Sequence, residues 1–96
     1  AYCYVDATSG TPVIQKSKNV ASIDDDGVGE YTINFTNALK SANYSWSGSA
    51  DNLVDGAQIV VVYEVGTRST TALPIRVSNT SSTAYDTKFS VIVVGA

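Results

Sequence analysis

The 96-residue sequence contains no histidine, no methionine, two prolines and a single cysteine, Cys3. Each scarcity removes a class of function. Zinc, haem and iron–sulfur centres need several imidazole or thiolate ligands, so none is expected within one chain, and no metal or cofactor is assigned. Triads that activate a nucleophile through an imidazole base are excluded with them, and no catalytic residue is assigned. One cysteine also forbids an internal disulfide framework. Basic charge is sparse: six Lys and Arg against nine Asp and Glu leave a net charge of −3. Lys16, Lys18, Lys40, Arg68, Arg76 and Lys88 are scattered along the chain, whereas nucleic acid needs clustered cations to release its counterions. The longest aliphatic stretch, residues 59–63, falls far short of the roughly 20 apolar residues of a spanning helix, which argues against membrane insertion. The chain does not open with a basic region followed by an apolar run, the pattern of a secretory signal. The absent methionine fits either removal of an initiator ahead of the small Ala1 or excision from a longer polypeptide.

What remains is a β-rich composition. Ser and Thr are frequent, β-branched residues dominate the apolar positions, and the strong helix formers never collect with a 3.6-residue period. Short alternating runs bounded by Gly, Pro, Asn, Asp or Ser predict strands at 2–7, 13–16, 20–23, 29–36, 42–49, 58–65, 73–79 and 87–94. The expected fold is all-β: one domain over residues 1–96, a small antiparallel, jelly-roll-like β-sandwich of about eight short strands. Asp24-Asp25-Asp26-Gly27-Val28-Gly29 reads as a turn, because Asp side chains bond nearby backbone and Gly supplies positive φ.

Side chains in a strand alternate between faces. Tyr31, Ile33 and Phe35 therefore share one face, opposite Thr32 and Asn34, while Tyr44 and Trp46 lie opposite Ser45, Ser47 and Ser49. This parity predicts Trp46 in the core with its ring N–H bonded. Residues 59–65 and 89–94 differ, being apolar on both faces. Exposed antiparallel sheets normally alternate apolar-in with polar-out, so a second covered face implies a neighbouring molecule. Val60, Val62, Ile92 and Val94 are the expected oligomer interface.

The run from Lys18 to Ala38, Lys-Asn-Val-Ala-Ser-Ile-Asp-Asp-Asp-Gly-Val-Gly-Glu-Tyr-Thr-Ile-Asn-Phe-Thr-Asn-Ala, followed by Ala42-Asn43-Tyr44, resembles a segment of the small C-terminal β domain of phage tail-fibre and related virion proteins. The opening Val5-Asp6 with Gly10-Thr11, and the ending Phe89-Ser90-Val91-Ile92-Val93-Val94-Gly95, are similar to that domain's start and terminal strand. Ala38-Leu39-Lys40-Ser41 lacks the proline usual in that linker, and Thr11-Pro12-Val13 departs from the usual opening. The resemblance implies a virion structural role as a homotrimer at or near a receptor-binding tip, assembled in the host cytoplasm and exposed on the particle exterior. Its partners would be other virion proteins and a host-surface glycan or protein. It implies no particular binding residues.

The remaining constellations have ordinary readings. Asp24, Asp25, Asp26 and Glu30 lack the alternate-position spacing of an EF-hand loop and suit a turn. Asp51, Asp55 and Glu64 are the carboxylates a glycosidase would pair, but a sandwich this small offers a poor cleft. Three Asn-x-Ser/Thr sequons, at Asn34, Asn43 and Asn79, are matches that abundant Ser and Thr produce by chance. In the loops, hydroxyls, amides and flat side chains suit saccharide recognition, and Arg68, Tyr85, Asp51, Asn52 and Thr70 are the candidate receptor contacts. A tail-fibre or spike tip domain is the leading reading. A small capsid or tail decoration protein and an extracellular immunoglobulin-like adhesion module are the alternatives, the latter weakened by the missing Cys…Trp…Cys framework.

Overall fold

A computed structural model describes residues 1–50, 60–79 and 83–95, and of Val60 the strand position only. Among these residues there are eight strands and no helix: β1 (Tyr2–Asp6), β2 (Val13–Lys18), β3 (Val20–Gly27), β4 (Glu30–Phe35), β5 (Ser45–Ala50), β6 (Val60–Glu64), β7 (Ala72–Asn79) and β8 (Lys88–Val94). They form two antiparallel four-stranded sheets, ordered β2-β1-β8-β5 and β3-β4-β7-β6. Hairpins join β1 to β2, β3 to β4 and β6 to β7, while β1–β8, β4–β7 and β5–β8 pair over long sequence separations. The first strand lies beside the last, as in a jelly roll. The three local hairpins make the winding looser than two full Greek keys.

Alternation dictates which face each strand buries. On β4, Tyr31, Ile33 and Phe35 point inward; on β7, Leu73, Ile75 and Val77; on β1, Cys3 and Val5; on β8, Phe89, Val91 and Val93. These residues form one core between the sheets, with the Tyr31 and Phe89 rings stacked 5.0 Å apart across it. The radius of gyration of 12.6 Å matches the roughly 12–13 Å expected for about 100 residues in one compact domain. The sheets approach closely at the β5/β6 corner: a Cβ placed on Gly48 would lie 3.0 Å from Val62 Cγ1.

Among the described residues, three strands depart from the sequence expectation by two residues or more. β3 continues through Asp24-Asp25-Asp26, and the turn is confined to Val28 and Gly29. β3 is the sheet edge, where charged residues are tolerated and discourage pairing with other chains. β2 extends to Lys18, after which Asn19 takes φ +57° and its side chain bonds the Asn37 backbone at both ends (Asn37 N to Oδ1 2.8 Å, Nδ2 to Asn37 O 3.1 Å). β5 begins only at Ser45, because Tyr44 is occupied in the loop network described next.

Candidate functional site

The β6–β7 loop places Arg68 against the residues that enter β5. Its Nε and Nη2 donate to the Glu64 carboxylate at 3.0 and 2.5 Å, its Nη1 donates to the Tyr44 carbonyl, and its guanidinium lies 4.7 Å from the Tyr44 ring centroid. Trp46 Nε1 donates to the same carboxylate at 3.2 Å. The Tyr44 hydroxyl bonds the Ser69 carbonyl, and its ring meets Phe35 edge-on. Arg68 holds the Glu64 carboxyl below its usual range, assisted by Trp46. This cluster clamps the two sheets together, and its donors and acceptors are turned toward one another. Trp46 faces inward as parity predicts and packs against the core, although it is half-buried rather than fully enclosed.

The candidate receptor residues do not converge. Thr70 accompanies Arg68 at the start of β7, where its carbonyl accepts from Leu39 N. Tyr85 belongs to the opposite end: its N–H donates to Val77 O and its hydroxyl accepts from Asn79 Nδ2. Arg68 and Thr70 precede β7, whereas Tyr85 bonds residues near its far end, Val77 and Asn79. Asp51 and Asn52 lie outside the described residues.

At the Tyr85 end, Asp86 joins two elements. Its Oδ1 accepts from Gly29 N at 3.0 Å and from the Tyr31 hydroxyl at 2.5 Å, while Gly29 O accepts from Val77 N at 2.7 Å. Burial and the adjacent Asp86 carboxylate push the Tyr31 phenol up strongly. The arrangement is a structural lock, since Tyr31 has no exposed surface. No cluster of three or more metal-ligating side chains occurs among the described residues.

Apart from Val28 in the β3–β4 turn, the exposed large apolar side chains lie on strands. Ile92 and Val94 on β8 are 52% and 56% exposed, and Val61 and Tyr63 on β6 are 37% and 36% exposed. Val62, expected at an outer interface, instead faces Gly48 and packs against the core. The outward face of β6 is therefore the Val61–Tyr63 face. The side chain of Val60 is outside the described set. Sequence reasoning missed Val61 and Tyr63 because β6 is apolar on both sides and Glu64, the one polar marker of parity, turns inward to Arg68 and Trp46. No family model, curated protein or solved structure matches the chain.

Proposed function

We propose that this chain is a virion structural module of a phage, a tail-fibre or spike tip domain that acts by binding rather than by chemistry and assembles as a homotrimer. The observation that carries the reading is the pair of exposed apolar strips, Ile92–Val94 on β8 and Val61–Tyr63 on β6. They flank the β5/β6 corner, one on each sheet. Two different strips on one protomer suit a heterologous contact, in which the β8 strip of one copy meets the β6 strip of the next, and such contacts close into rings. The resemblance of residues 18–44 to virion fibre domains supports the same reading and supplies the location on the particle exterior.

Sedimentation equilibrium tests it. The unmodified chain is expected at three times its monomer mass, and Ile92→Asp and Tyr63→Asp are each expected to give folded monomers, because a buried unpaired carboxylate costs several kcal/mol. Mixed together, the two variants retain one intact contact and are expected to form a heterodimer that cannot close. A monomeric unmodified chain would refute the assembly, and absence of the chain from the exterior of purified particles would refute the virion role.

A further inference from the structure

We infer that the β1–β2 half of the outer face of the first sheet binds an acidic polysaccharide. This deepens the reading above, naming a ligand class and a surface that the assembly strips leave uncovered.

The strand register builds a grid on this face. Lys18 stands opposite Tyr2, which stands opposite Ile92; one step along, Lys16 stands opposite Tyr4, which stands opposite Ser90. The first row ends at Ile92, the edge of the assembly strip, while the second continues to Ser90, whose hydroxyl lies 3.1 Å from that of Ser49 on β5. Tyr2 and Tyr4 are each 37% exposed, and both lysines are exposed. Alternate residues on one strand face are about 6.7 Å apart, so both tyrosine rings fall within the reach of one short oligosaccharide. The grid therefore presents flat aromatic surfaces for the C–H faces of pyranose rings, hydroxyls beside them, and an ammonium at the end of each row.

Charge selects an acidic polymer over a neutral one. The outward positions of this sheet carry Lys16, Lys18 and Lys88 against Asp6 alone, although the whole chain has net charge −3. Asp6 stands opposite Lys88 and also accepts from Thr8 N at 3.0 Å and Thr8 Oγ1 at 2.6 Å, so the unbalanced positive charge on this face is that of Lys16 and Lys18. Each of the two β2 lysines faces a tyrosine in the register, not a carboxylate, and both are exposed on the edge strand of the sheet. The acidic run Asp24-Asp25-Asp26 and Glu30 belong to the other sheet. A polyanion is thus drawn to one face and repelled from the other. Two lysines are too few for nucleic acid, which is held through many phosphate contacts, whereas the exposed rings of Tyr2 and Tyr4 offer flat faces on which the C–H faces of sugar rings stack.

The test titrates oligogalacturonate into the intact protein at low salt, with the fully methyl-esterified oligomer and duplex DNA as comparators. Saturable binding of the acidic oligomer is expected, weakened about tenfold or more by esterification and by Tyr4→Ala or by the double change Lys16→Ala and Lys18→Ala, consistent with one lost aromatic or ionic contact. Tyr4→Phe should retain it, since the ring remains. Sedimentation and melting of the same samples are expected to be unchanged, so loss of binding is separable from loss of assembly or fold. Equal binding of both oligomers, equally tight binding of DNA, indifference to the Tyr4 and lysine substitutions, or no saturable binding would each overturn the inference while leaving the assembly reading intact.

Discussion

Gly29→Ala tests how the β3–β4 turn is locked to the rest of the sandwich. Gly29 has φ +67°, and an added Cβ would lie 2.5 Å from Val77 O, 2.9 Å from Tyr85 N and 3.0 Å from the Ala84 Cβ. Two of these atoms are backbone and are bonded to each other, Tyr85 N donating to Val77 O at 3.0 Å. No rotamer change can relieve the clash. The left-handed conformation alone costs an alanine about 1–2 kcal/mol. Displacing the turn also loosens the bonds from Gly29 N to Asp86 and from Val77 N to Gly29 O, at about 1 kcal/mol each. The total, about 3–4 kcal/mol, is a large part of the roughly 5–14 kcal/mol expected for a domain of this length, and corresponds to a melting temperature lower by about 15–30 °C. Gly10→Ala is the internal control, since Gly10 has φ +91° but nothing within 4 Å of an added Cβ. It should lose only the conformational cost, about 1–2 kcal/mol. Urea unfolding monitored by Trp46 fluorescence, at one fixed protein concentration because assembly shifts apparent stability, measures both. Equal losses at the two glycines would refute the packing argument.

Three further outcomes follow from the same geometry. Tyr31→Phe removes the hydroxyl that donates to Asp86 from a fully buried ring and is expected to cost about 1.5–3 kcal/mol by denaturant titration; an unchanged midpoint would show that this bond adds nothing. Because Arg68 keeps the folded Glu64 carboxyl below its ordinary value, its stabilising contribution is present above the unfolded value of about 4.3 and fades as pH falls through the lower folded value; Glu64→Gln should therefore flatten the acid side of a stability-against-pH curve, and an unaltered acid limb would contradict the clamp. Burial raises the Cys3 thiol to about 11, so a thiol reagent at pH 8 should label it only as fast as the protein opens, and at once in urea; rapid labelling of the native protein would mean that β1 is not held as described.

Strand positions and most inward faces were legible because alternation is a local rule. Tyr31, Ile33 and Phe35 bury where parity put them, and Tyr44 and Trp46 lie opposite an exposed serine ladder. Pairing was not legible. Three consecutive aspartates resemble a turn until β3 is known to be an edge strand, where their side chains reach water without opposing a core. The faces of β6 could not be told apart by composition, and Glu64 inverted the natural inference by turning inward to a cation four residues on, brought back to it by a loop rather than by a helix. Arg68 looked like a free loop cation for the same reason: its partners Tyr44 and Glu64 come from separate elements that only the folded sandwich brings together. Tyr2, Tyr4, Lys16 and Lys18 were all visible, yet their shared rows depend on a register shift between Tyr4 and Val5 that the sequence does not announce.

The adjacency of β1 and β8 governs how the module responds to force. The strands run antiparallel with Tyr2 opposite Ile92 and Asp6 opposite Lys88, and the Ala1 nitrogen donates to Val93 O at 3.2 Å. Traction applied at Ala1 and Gly95 together therefore pulls across the strands at one end of the ladder and opens its bonds one after another, like a zipper. Traction between Ala1 and the Val28 tip acts along the strands and loads many bonds at once, so rupture requires shearing them collectively. Forced unfolding is limited by the unfolding rate, and the same sandwich is consequently weak when peeled from its paired ends and strong when stretched lengthwise. Where it is attached, more than how stable it is, sets how long it survives under load.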